Sequence, residues 1–417
     1  MGAIERKESK VFFIDGPGGT RNTYLYRSIL ATVRENGGIA LATTTSGIAA
    51  TMIPGGRTSH SRFQLPMTPT STSTCRTKKQ TEEAKLLRRA TVLMWDEATM
   101  AHRYSLEEFD RTMTDITGIA EPFGGKILIM GDDFRQKNMR AVEDASYSEF
   151  LIRVGDGDEP CVSNEMIKVP EEMVIPWDSD ASLSQLIDVP FPNSVENARD
   201  VDYMVNRALI TPLNEYVEKL NDRVLNIFPG KEVLFYSLDS LDDDTHCLYQ
   251  QEYLNNNAPG GLPSHILKLK IGAPIMLLRN VDAKNGLCNG TRLIIKEFFP
   301  NCIDVVIISG NYIGTRVFIH KMSLEPPENL NIPYKFKRKQ FAICLCFFFT
   351  VNKAQGQTIE NTGIFFPEHV FSHGQLYVAL SRGVSSSNTK VLVAKGTIAK
   401  KKGTYMKNVM YKEVFLS

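Results

Sequence analysis

Three glycines and a threonine follow a short apolar run near the start of the chain. The run is Val11–Ile14, the glycines are Gly16, Gly18 and Gly19, and Thr23 opens a stretch with helical spacing. Glycines let backbone N–H groups close around phosphate oxygens, and the N-terminus of the following helix favours an anion. The sequence therefore predicts a strand, a phosphate-binding loop and a helix. The alternative is an ordinary strand-turn-helix without a ligand.

The loop differs from the nucleoside triphosphate motif at two positions. The motif G-x-x-x-x-G-K-[ST] requires glycine and lysine where this chain has Arg21 and Asn22, after Thr20. Because Asn22 is neutral, the ammonium that reaches the β and γ phosphates is missing, a loss of about 1.5–3 kcal/mol. Such groups stabilise transition-state charge, so we expect hydrolysis to suffer more than binding, by about two or more orders of magnitude. Arg21 is the candidate substitute, although it replaces a glycine.

An acidic pair, Asp96 and Glu97, ends the apolar run 91–95. At the carboxyl end of a parallel strand, Asp96 would hold Mg²⁺ together with the hydroxyl of Thr23, and Glu97 would orient the attacking water. The alternative interpretation is a solvated acidic turn.

Three more apolar runs also end at polar residues, and they lie at 40–45, 126–132 and 344–351. Strands that alternate with helical stretches predict an α/β fold with a parallel, doubly wound sheet and an active edge at the strand ends. A length of 417 residues with 42% hydrophobic content suggests about three units, at about 150 residues per domain.

Nine short motifs give the chain a family resemblance through their order. They are GPGGTRNT, SGIAA, GGRTSHSRF, WDEATMAHR, GDDFRQ, GAPIMLLRN, GLCNGTR, VNKAQGQT and HGQLYVALSR. In this order they resemble the Pif-type DNA helicases of the RecD-like branch, and most of all the helicase domains of helitron transposons and their plant relatives. The resemblance runs from about Val11 to about Phe415. It implies two RecA-like P-loop domains with parallel sheets plus a small SH3-like β-barrel insert.

The expected domain boundaries combine this resemblance with local composition. We expect a first RecA-like domain at 1–155, an interdomain connection at 156–197, a second RecA-like domain at 198–264 and 344–396, the barrel insert at 265–343 and a C-terminal tail at 397–417. The first domain lacks one strand-helix unit, because Gln136 runs directly into Lys137 where the family has a further strand and helix.

The resemblance implies ATP-driven 5′ to 3′ translocation on single-stranded DNA, unwinding of forked DNA, and Mg²⁺ as the cofactor of ATP. It assigns Thr23 and Asp96 to the metal, Glu97 to catalysis, Gln136 to sensing the γ-phosphate, and Arg140 and Arg382 to arginine contacts with that phosphate. Its nucleotide-binding residues are Gly16, Gly18, Gly19, Thr20, Arg21, Asn22 and Thr23. Its DNA-binding residues are Ser46, Gly47, Thr58, His60, Phe63, Lys353, Gln357 and Thr358. For Phe63 two interpretations stay open, a platform that stacks a base and a core side chain.

Several departures from the family predict an impaired ATPase. Besides Arg21, Asn22 and the missing unit, Asp132 stands where the family usually has glycine. We also expect weaker adenine recognition, since the glutamine motif upstream of the first strand has no counterpart. Two alternatives to an active helicase remain, a non-catalytic remnant that binds single-stranded DNA and a partly unfolded transposon relic.

Composition excludes a polycationic DNA binder, since 48 basic and 47 acidic residues leave a net charge of +1. DNA affinity must then be local, and the run KFKRK at 335–339 is the preferred candidate. The seven cysteines show no zinc pattern, and the apolar stretch Phe341–Val351 is too short for a membrane span. We expect DNA and ATP as partners, no membrane and no obligate protein partner. No targeting signal is visible, so the expected nuclear location, with the mitochondrion as alternative, comes from the family, as do roles in DNA repair, recombination and telomere maintenance.

Overall fold

The structure is a computed structural model. It describes residues 2, 6, 8–15, 22–66, 69–98, 101–132, 141, 143–163, 165–198, 200–241, 251–256, 262–282, 285–326, 336–354 and 357–410.

The described helices are α1 Asn22–Glu35, α2 Gly47–Met52, α3 Ser59–Phe63, α4 Glu82–Arg89, α5 Arg103–Thr117, α6 Ala145–Asp156, α7 Asp180–Asp188, α8 Ser194–Asn197, α9 Val201–Val205, α10 Asn214–Ile227, α11 Gln251–Asn256, α12 Val351–Ala354 and α13 Gln375–Leu380. Short 3₁₀ turns lie at Pro122–Gly125, Glu171–Met173 and Gly310–Tyr312.

The described strands are β1 Lys10–Asp15, β2 Ala40–Thr44, β3 Arg57–Thr58, β4 Val92–Asp96, β5 Ile127–Asp132, β6 Cys161–Ser163, β7 Met166–Lys168, β8 Val174–Ile175, β9 Arg207–Thr211, β10 Val233–Tyr236, β11 Leu238–Leu241, β12 Ile266–Leu269, β13 Pro274–Leu277, β14 Arg292–Phe298, β15 Cys302–Ile307, β16 Arg316–Leu324, β17 Phe336–Phe341, β18 Ile343–Leu345, β19 Phe348–Thr350, β20 Asn361–Phe366, β21 Thr389–Val393 and β22 Tyr405–Lys407.

The first sheet is parallel and has the strand order β1-β5-β4-β2-β3. Its registers pair Asp15 with Asp132, Gly131 with Asp96, and Asp96 with Thr44. The carboxyl ends of these strands therefore meet at one edge, as the apolar runs predicted.

Both faces of this sheet are covered because β4 is apolar on each side. Val92 and Met94 pack in one cluster with Tyr26 and Leu30 of α1. Leu93 and Trp95 pack on the opposite face with residues of α4 and α5. Successive side chains of a strand point to opposite faces, so this continuous run predicts a strand with a helix layer on either side.

Strand β1 is less well covered than the others. Among the described strands its one neighbour is β5, and Val11, Phe12 and Phe13 are 43%, 42% and 48% exposed. If a strand-helix unit is missing beside β1, we expect β1 to be an apolar strand at the edge of the sheet. The missing unit itself stays a proposal. Such an edge is a template for aggregation.

A lysine on this edge should therefore suppress aggregation. We expect Phe13→Lys to slow the growth of light scattering at micromolar protein several-fold, because a charged edge opposes strand pairing between molecules. Phe318→Lys is the matched control, because it places the same charge at an exposed phenylalanine on another strand. Phe318 lies on β16 and is 53% exposed. Equal scattering by Phe13→Lys and the unchanged chain would contradict the assignment of the edge.

The second parallel sheet has the order β19-β9-β20-β21-β8. Helix α6 packs into its core, where Tyr147, Phe150 and Leu151 share a cluster with Ile364 and Val391. We expected this helix in the first domain at 1–155. By its packing it belongs to the second, because its buried face finds its apolar partners there.

The run 344–351 was predicted as one strand, and this prediction is wrong. The chain leaves one sheet at β18 and enters another at β19. The Cys346 amide donates to the Pro274 carbonyl, and the Leu209 amide donates to the Phe347 carbonyl, each at 2.9 Å. The chain changes sheets between these two bonds. Because apolar side chains are buried on both sides of this point, the hydrophobic pattern of the sequence could not reveal it.

The insert is antiparallel, with strand order β11-β17-β16-β15-β14-β13-β18 beside the pair β10-β12. Its sheet uses β11 and β18, which lie partly or wholly outside the expected range 265–343. The SH3-like character remains a prediction.

The last four residues of the basic run KFKRK, 336–339, begin β17, and the arginine among them does not face solvent. Arg338 is fully buried and binds Asp239 through two hydrogen bonds of 2.9 and 2.7 Å. Arg338 is therefore no phosphate contact, because its charge is already paired inside the insert, and a DNA contact by the rest of the run stays a prediction.

Candidate nucleotide and DNA site

Part of the predicted site lies outside the described residues. These positions are Gly16, Gly18, Gly19, Thr20, Arg21, Gln136 and Arg140. Asn22 begins α1, and Thr23 is half-buried in the first turn of that helix. The candidate phosphate loop thus connects β1 to α1 along the chain, and these two flanking elements were predicted correctly.

Glu97 is held where β4 meets β2. Its carboxylate Oε2 accepts a hydrogen bond from the Ser46 amide at 3.1 Å, and its carbonyl accepts one from the Thr45 hydroxyl at 2.6 Å. The residue is 7% exposed and has a φ of 53°. A non-glycine residue in the left-handed region is strained, and such strain concentrates at functional sites. Glu97 is therefore no solvated turn residue, and it contacts the segment predicted to bind DNA.

Asp96 lies half-buried at the end of β4, beside Gly131 of β5. A Cβ on Gly131 would overlap the hydroxyl of Tyr26 on α1 and would come to 3.4 Å from the Asp96 Oδ1. The bare backbone thus lets α1 and the Asp96 carboxylate approach the same point of the sheet. Carboxylate and hydroxyl oxygens are the ligands that Mg²⁺ prefers, so Asp96 and Thr23 fit the predicted metal.

Neither Gly131 nor Tyr26 was among the site residues predicted from the sequence. The glycine of GDDFRQ was visible, but nothing in the sequence indicated which side chain would cover it.

Adding a methyl group at this point should be costly. We expect Gly131→Ala to lower the free energy of unfolding by about 1–3 kcal/mol, because the new Cβ overlaps a rigid, buried ring. Urea denaturation of Gly131→Ala and of the unchanged chain would measure this. Tyr26→Phe in the same chain should recover part of the loss, and a neutral Gly131→Ala would contradict the packing.

Four of the five first-domain residues predicted to bind DNA lie at the N-terminal turns of α2 and α3: Ser46, Gly47, Thr58 and His60. The Ser46 hydroxyl accepts a hydrogen bond from the Ala49 amide and the Thr58 hydroxyl accepts one from the Ser61 amide, each at 3.3 Å. Both hydroxyls therefore cap helices. His60 is half-buried, and burial lowers its pKa below the usual value.

Gly47 brings the first domain against the insert. A Cβ there would come to 2.8 Å from the Asn289 carbonyl oxygen. The SGIAA segment and the CNG turn of the insert are thus in close contact, although they stand more than 200 residues apart in the sequence.

Phe63 belongs to the core. It is 1% exposed, its ring stacks on Phe109 with centroids 3.8 Å apart, and it lies 5.4 Å from the Trp95 ring. A ring covered in this way cannot stack on a base, so the platform interpretation is wrong. The residue follows three polar ones because it ends the short helix α3 with its apolar side chain turned inward.

In the second domain, Arg382 joins two predicted motifs. Its guanidinium donates to the Val378 carbonyl at 2.9 Å and to the Gln357 carbonyl at 3.4 Å, and the residue is 1% exposed. Gln357 in turn donates to the Lys353 carbonyl at 3.0 Å. These bonds lie within one domain, so the contact of Arg382 with phosphate stays a prediction. Thr358, next in the chain, is exposed.

Within the described part of the chain, no helix combines the length and apolar character needed to cross a membrane.

Two family models match the chain. One, described as PIF1-like helicase, matches residues 1–160, and the other, described as the 2B domain of DNA helicase Pif1, matches residues 252–298. The second match overlaps the antiparallel insert.

Relatives and solved structures agree with these models. The ATP-dependent DNA helicase PIF1 of Danio rerio is 26% identical over 405 residues, which cover 92% of this chain and 58% of that protein. The chain thus spans less than two thirds of the length of the first curated relatives that it matches.

Two crystal structures have the same fold along nearly the whole chain. Pif1 helicase from Candida albicans has a TM-score of 0.66 at 20% identity, with 98% of this chain and 94% of that chain covered. Pif1 helicase from Bacteroides, solved in complex with ADP-AlF3 and ssDNA, has a TM-score of 0.65 at 20% identity, with 100% and 94% covered. The two family models assign residues 1–160 and 252–298 to the Pif1-like helicase family, and the order of the motifs and the parallel sheets agree with that assignment.

Proposed function

We propose that this chain is an ATP-dependent DNA helicase that moves 5′ to 3′ on single-stranded DNA and opens forked duplexes. The observation that carries this proposal is the bond between the Glu97 carboxylate and the Ser46 amide. It connects the candidate catalytic carboxylate to the candidate DNA segment without an intervening residue. A displacement of the Ser46 amide would therefore change the position of the Glu97 carboxylate, and the reverse also holds.

The nucleotide is assigned to the carboxyl edge of the first sheet. Asp96 and Thr23 present the oxygens that would hold Mg²⁺, and a bound Mg²⁺ supplies charge neutralisation at the phosphates. Glu97 accepts a proton from, and so orients, the attacking water. Gln136, Arg140 and Arg382 complete the assignment as γ-phosphate contacts by their motif positions.

The DNA track is assigned to residues of both domains: Ser46, Gly47, Thr58, His60, Lys353, Gln357 and Thr358. Their small or polar side chains suit contacts with phosphate and sugar, which carry no sequence information. Phe63 is left out because it is buried. Binding through phosphates should weaken as salt is raised.

Turnover is proposed to be slow because of the phosphate loop. Asn22 removes the charge that stabilises the transferring phosphoryl group, and Arg21 replaces the glycine beside it. By family we assign the chain to DNA repair, recombination and telomere maintenance in the nucleus, with the mitochondrion as alternative.

Strand displacement tests the proposal. Forked DNA with a 5′ single-stranded tail should be opened with ATP, and the same duplex with only a 3′ tail should not. Opening from the 3′ tail would overturn the assigned polarity.

The second candidate is a non-catalytic protein that binds single-stranded DNA, and the neutral Asn22 favours it. It predicts salt-sensitive binding of labelled single strands in fluorescence anisotropy with no opening of either fork. Absence of binding at low salt would exclude both functions.

A further inference from the structure

Arg382 lies in the segment 380–386, which begins at the last residue of α13 and which we call the Arg382 turn. At the start of this turn, the Tyr147 hydroxyl donates to the Leu380 carbonyl at 2.7 Å. Tyr147 belongs to α6 and is 2% exposed. Water cannot replace a bond at so buried a place, so its loss would leave the carbonyl without this donor.

The end of the Arg382 turn is held by the cap of the same helix. The Asp144 carboxylate accepts hydrogen bonds from the Ser386 amide at 2.9 Å and the Ser386 hydroxyl at 2.8 Å. The same carboxylate accepts hydrogen bonds from the Ser146 hydroxyl at 2.8 Å and from the Tyr147 amide at 2.9 Å. The bond from the Tyr147 amide caps the N-terminus of α6. Burial alone would raise the pKa of Asp144, but these hydrogen bonds outweigh it and lower the pKa to about 2. The Asp144 carboxylate is therefore charged at neutral pH.

The middle of the Arg382 turn has no free space against α6. A Cβ on Gly383 would overlap the Thr389 hydroxyl and would come to 3.3 Å from the Tyr147 hydroxyl. Tyr147 also lies within 3.4 Å of that threonine hydroxyl. A shift of the Arg382 turn would therefore have to displace Tyr147 as well.

We propose that Tyr147 and Asp144 are positioning residues for Arg382, acting on ATP hydrolysis only through the turn that they hold. This inference rests on the proposed function. The two residues fix both ends of the turn, and a small misplacement of a group that acts on the transition state can cost up to about 100-fold in rate. Their loss should thus change turnover more than nucleotide affinity.

Kinetics of Tyr147→Phe test the inference against a matched control. Tyr203→Phe removes an equivalent hydroxyl, since Tyr203 is 8% exposed and donates to the Pro192 carbonyl at 2.8 Å. In a chain with Arg21→Gly and Asn22→Lys, we expect Tyr147→Phe to lower kcat about tenfold and to change KM for ATP less than twofold. Tyr203→Phe should leave both unchanged.

A double substitution shows whether Tyr147 acts through Arg382. In an Arg382→Ala chain, Tyr147→Phe should lower kcat by less than about twofold further, because the residue that it positions is gone. An undiminished tenfold loss in that chain, or an equal loss with Tyr203→Phe, would overturn the proposal.

Hydrogen exchange provides a readout that needs no activity. The Ser386 amide binds Asp144 and the Gly383 amide binds the Leu380 carbonyl at 3.1 Å. Tyr147→Phe and Asp144→Asn should speed exchange of the peptide 380–389 about tenfold, and Tyr203→Phe should not. Unchanged exchange in a chain that hydrolyses ATP overturns the inference alone. Faster exchange in a chain that never hydrolyses ATP overturns the proposed function, and the inference with it.

Discussion

Restoring glycine and lysine at positions 21 and 22 is expected to raise DNA-stimulated ATP hydrolysis by at least about 100-fold. Asn22 carries no charge, so the chain lacks the ammonium that stabilises the transferring phosphate. The double substitution Arg21→Gly, Asn22→Lys supplies it and removes a side chain from a position where glycine permits a left-handed backbone. The measurement is steady-state phosphate release with saturating single-stranded DNA.

The control for this gain in ATP hydrolysis is a lysine placed at the other end of α1. Asn36→Lys adds a lysine just beyond the last residue of that helix, whose 14 residues span about 21 Å. It should leave turnover unchanged, because a charge at that distance is screened. An equal gain from Asn36→Lys, or a double substitution without effect, would contradict the assignment of the phosphate loop.

Glu97→Gln is expected to lower turnover of the restored chain by about 100-fold or more while the nucleotide still binds. Glutamine keeps the size of the side chain and an oxygen that can accept a hydrogen bond from the Ser46 amide, so the local fold should persist. It cannot take a proton from water, so the chemical step alone should suffer. The measurements are kcat and the affinity for a fluorescent ATP analogue.

Glu107→Gln is the matched control for this loss. Glu107 lies on α5, and its side chain is 36% exposed in a surface pair with Arg103. Exposed pairs of this kind contribute little to stability, so neither kcat nor affinity should change. If Glu97→Gln retained full turnover, another group would have to be the base.

The first sheet could be predicted from the sequence because its central strands are buried on both faces. Continuous apolar runs around Leu41, Trp95 and Leu128 indicate such strands, and the polar residues after them mark the edge of the sheet. This rule placed Asp96 and Glu97 at that edge, and the family motif then gave them their expected roles.

Other features depend on contacts that no local pattern contains. Cys346 and Phe347 are both buried, so the apolar run hides the point at which the chain changes sheets. The apolar face of α6 looks the same whichever domain covers it. Phe63 stands among polar residues, and its role follows from Trp95 and Phe109, which are distant in sequence.

The sequence predicted the functional residues of the candidate site but not the residues that hold them in place. Glu97 and Arg382 were identified from their motifs, whereas the groups that hold them were not. Ser46 was assigned to DNA, and its bond to Glu97 appears only when β2 and β4 are placed side by side. Tyr147 belongs to no motif, because its hydroxyl acts on a carbonyl 233 positions further along.

Turnover of bound ATP by the unchanged chain is the most direct test of the central claim, that this is a helicase site slowed at its phosphate loop. With saturating single-stranded DNA, we predict that ATP binds and that hydrolysis stays below about 0.1 s⁻¹, two orders under a typical enzyme rate of about 10 s⁻¹. A rate near 10 s⁻¹ would contradict the impairment. Failure to bind ATP at all would contradict the site itself.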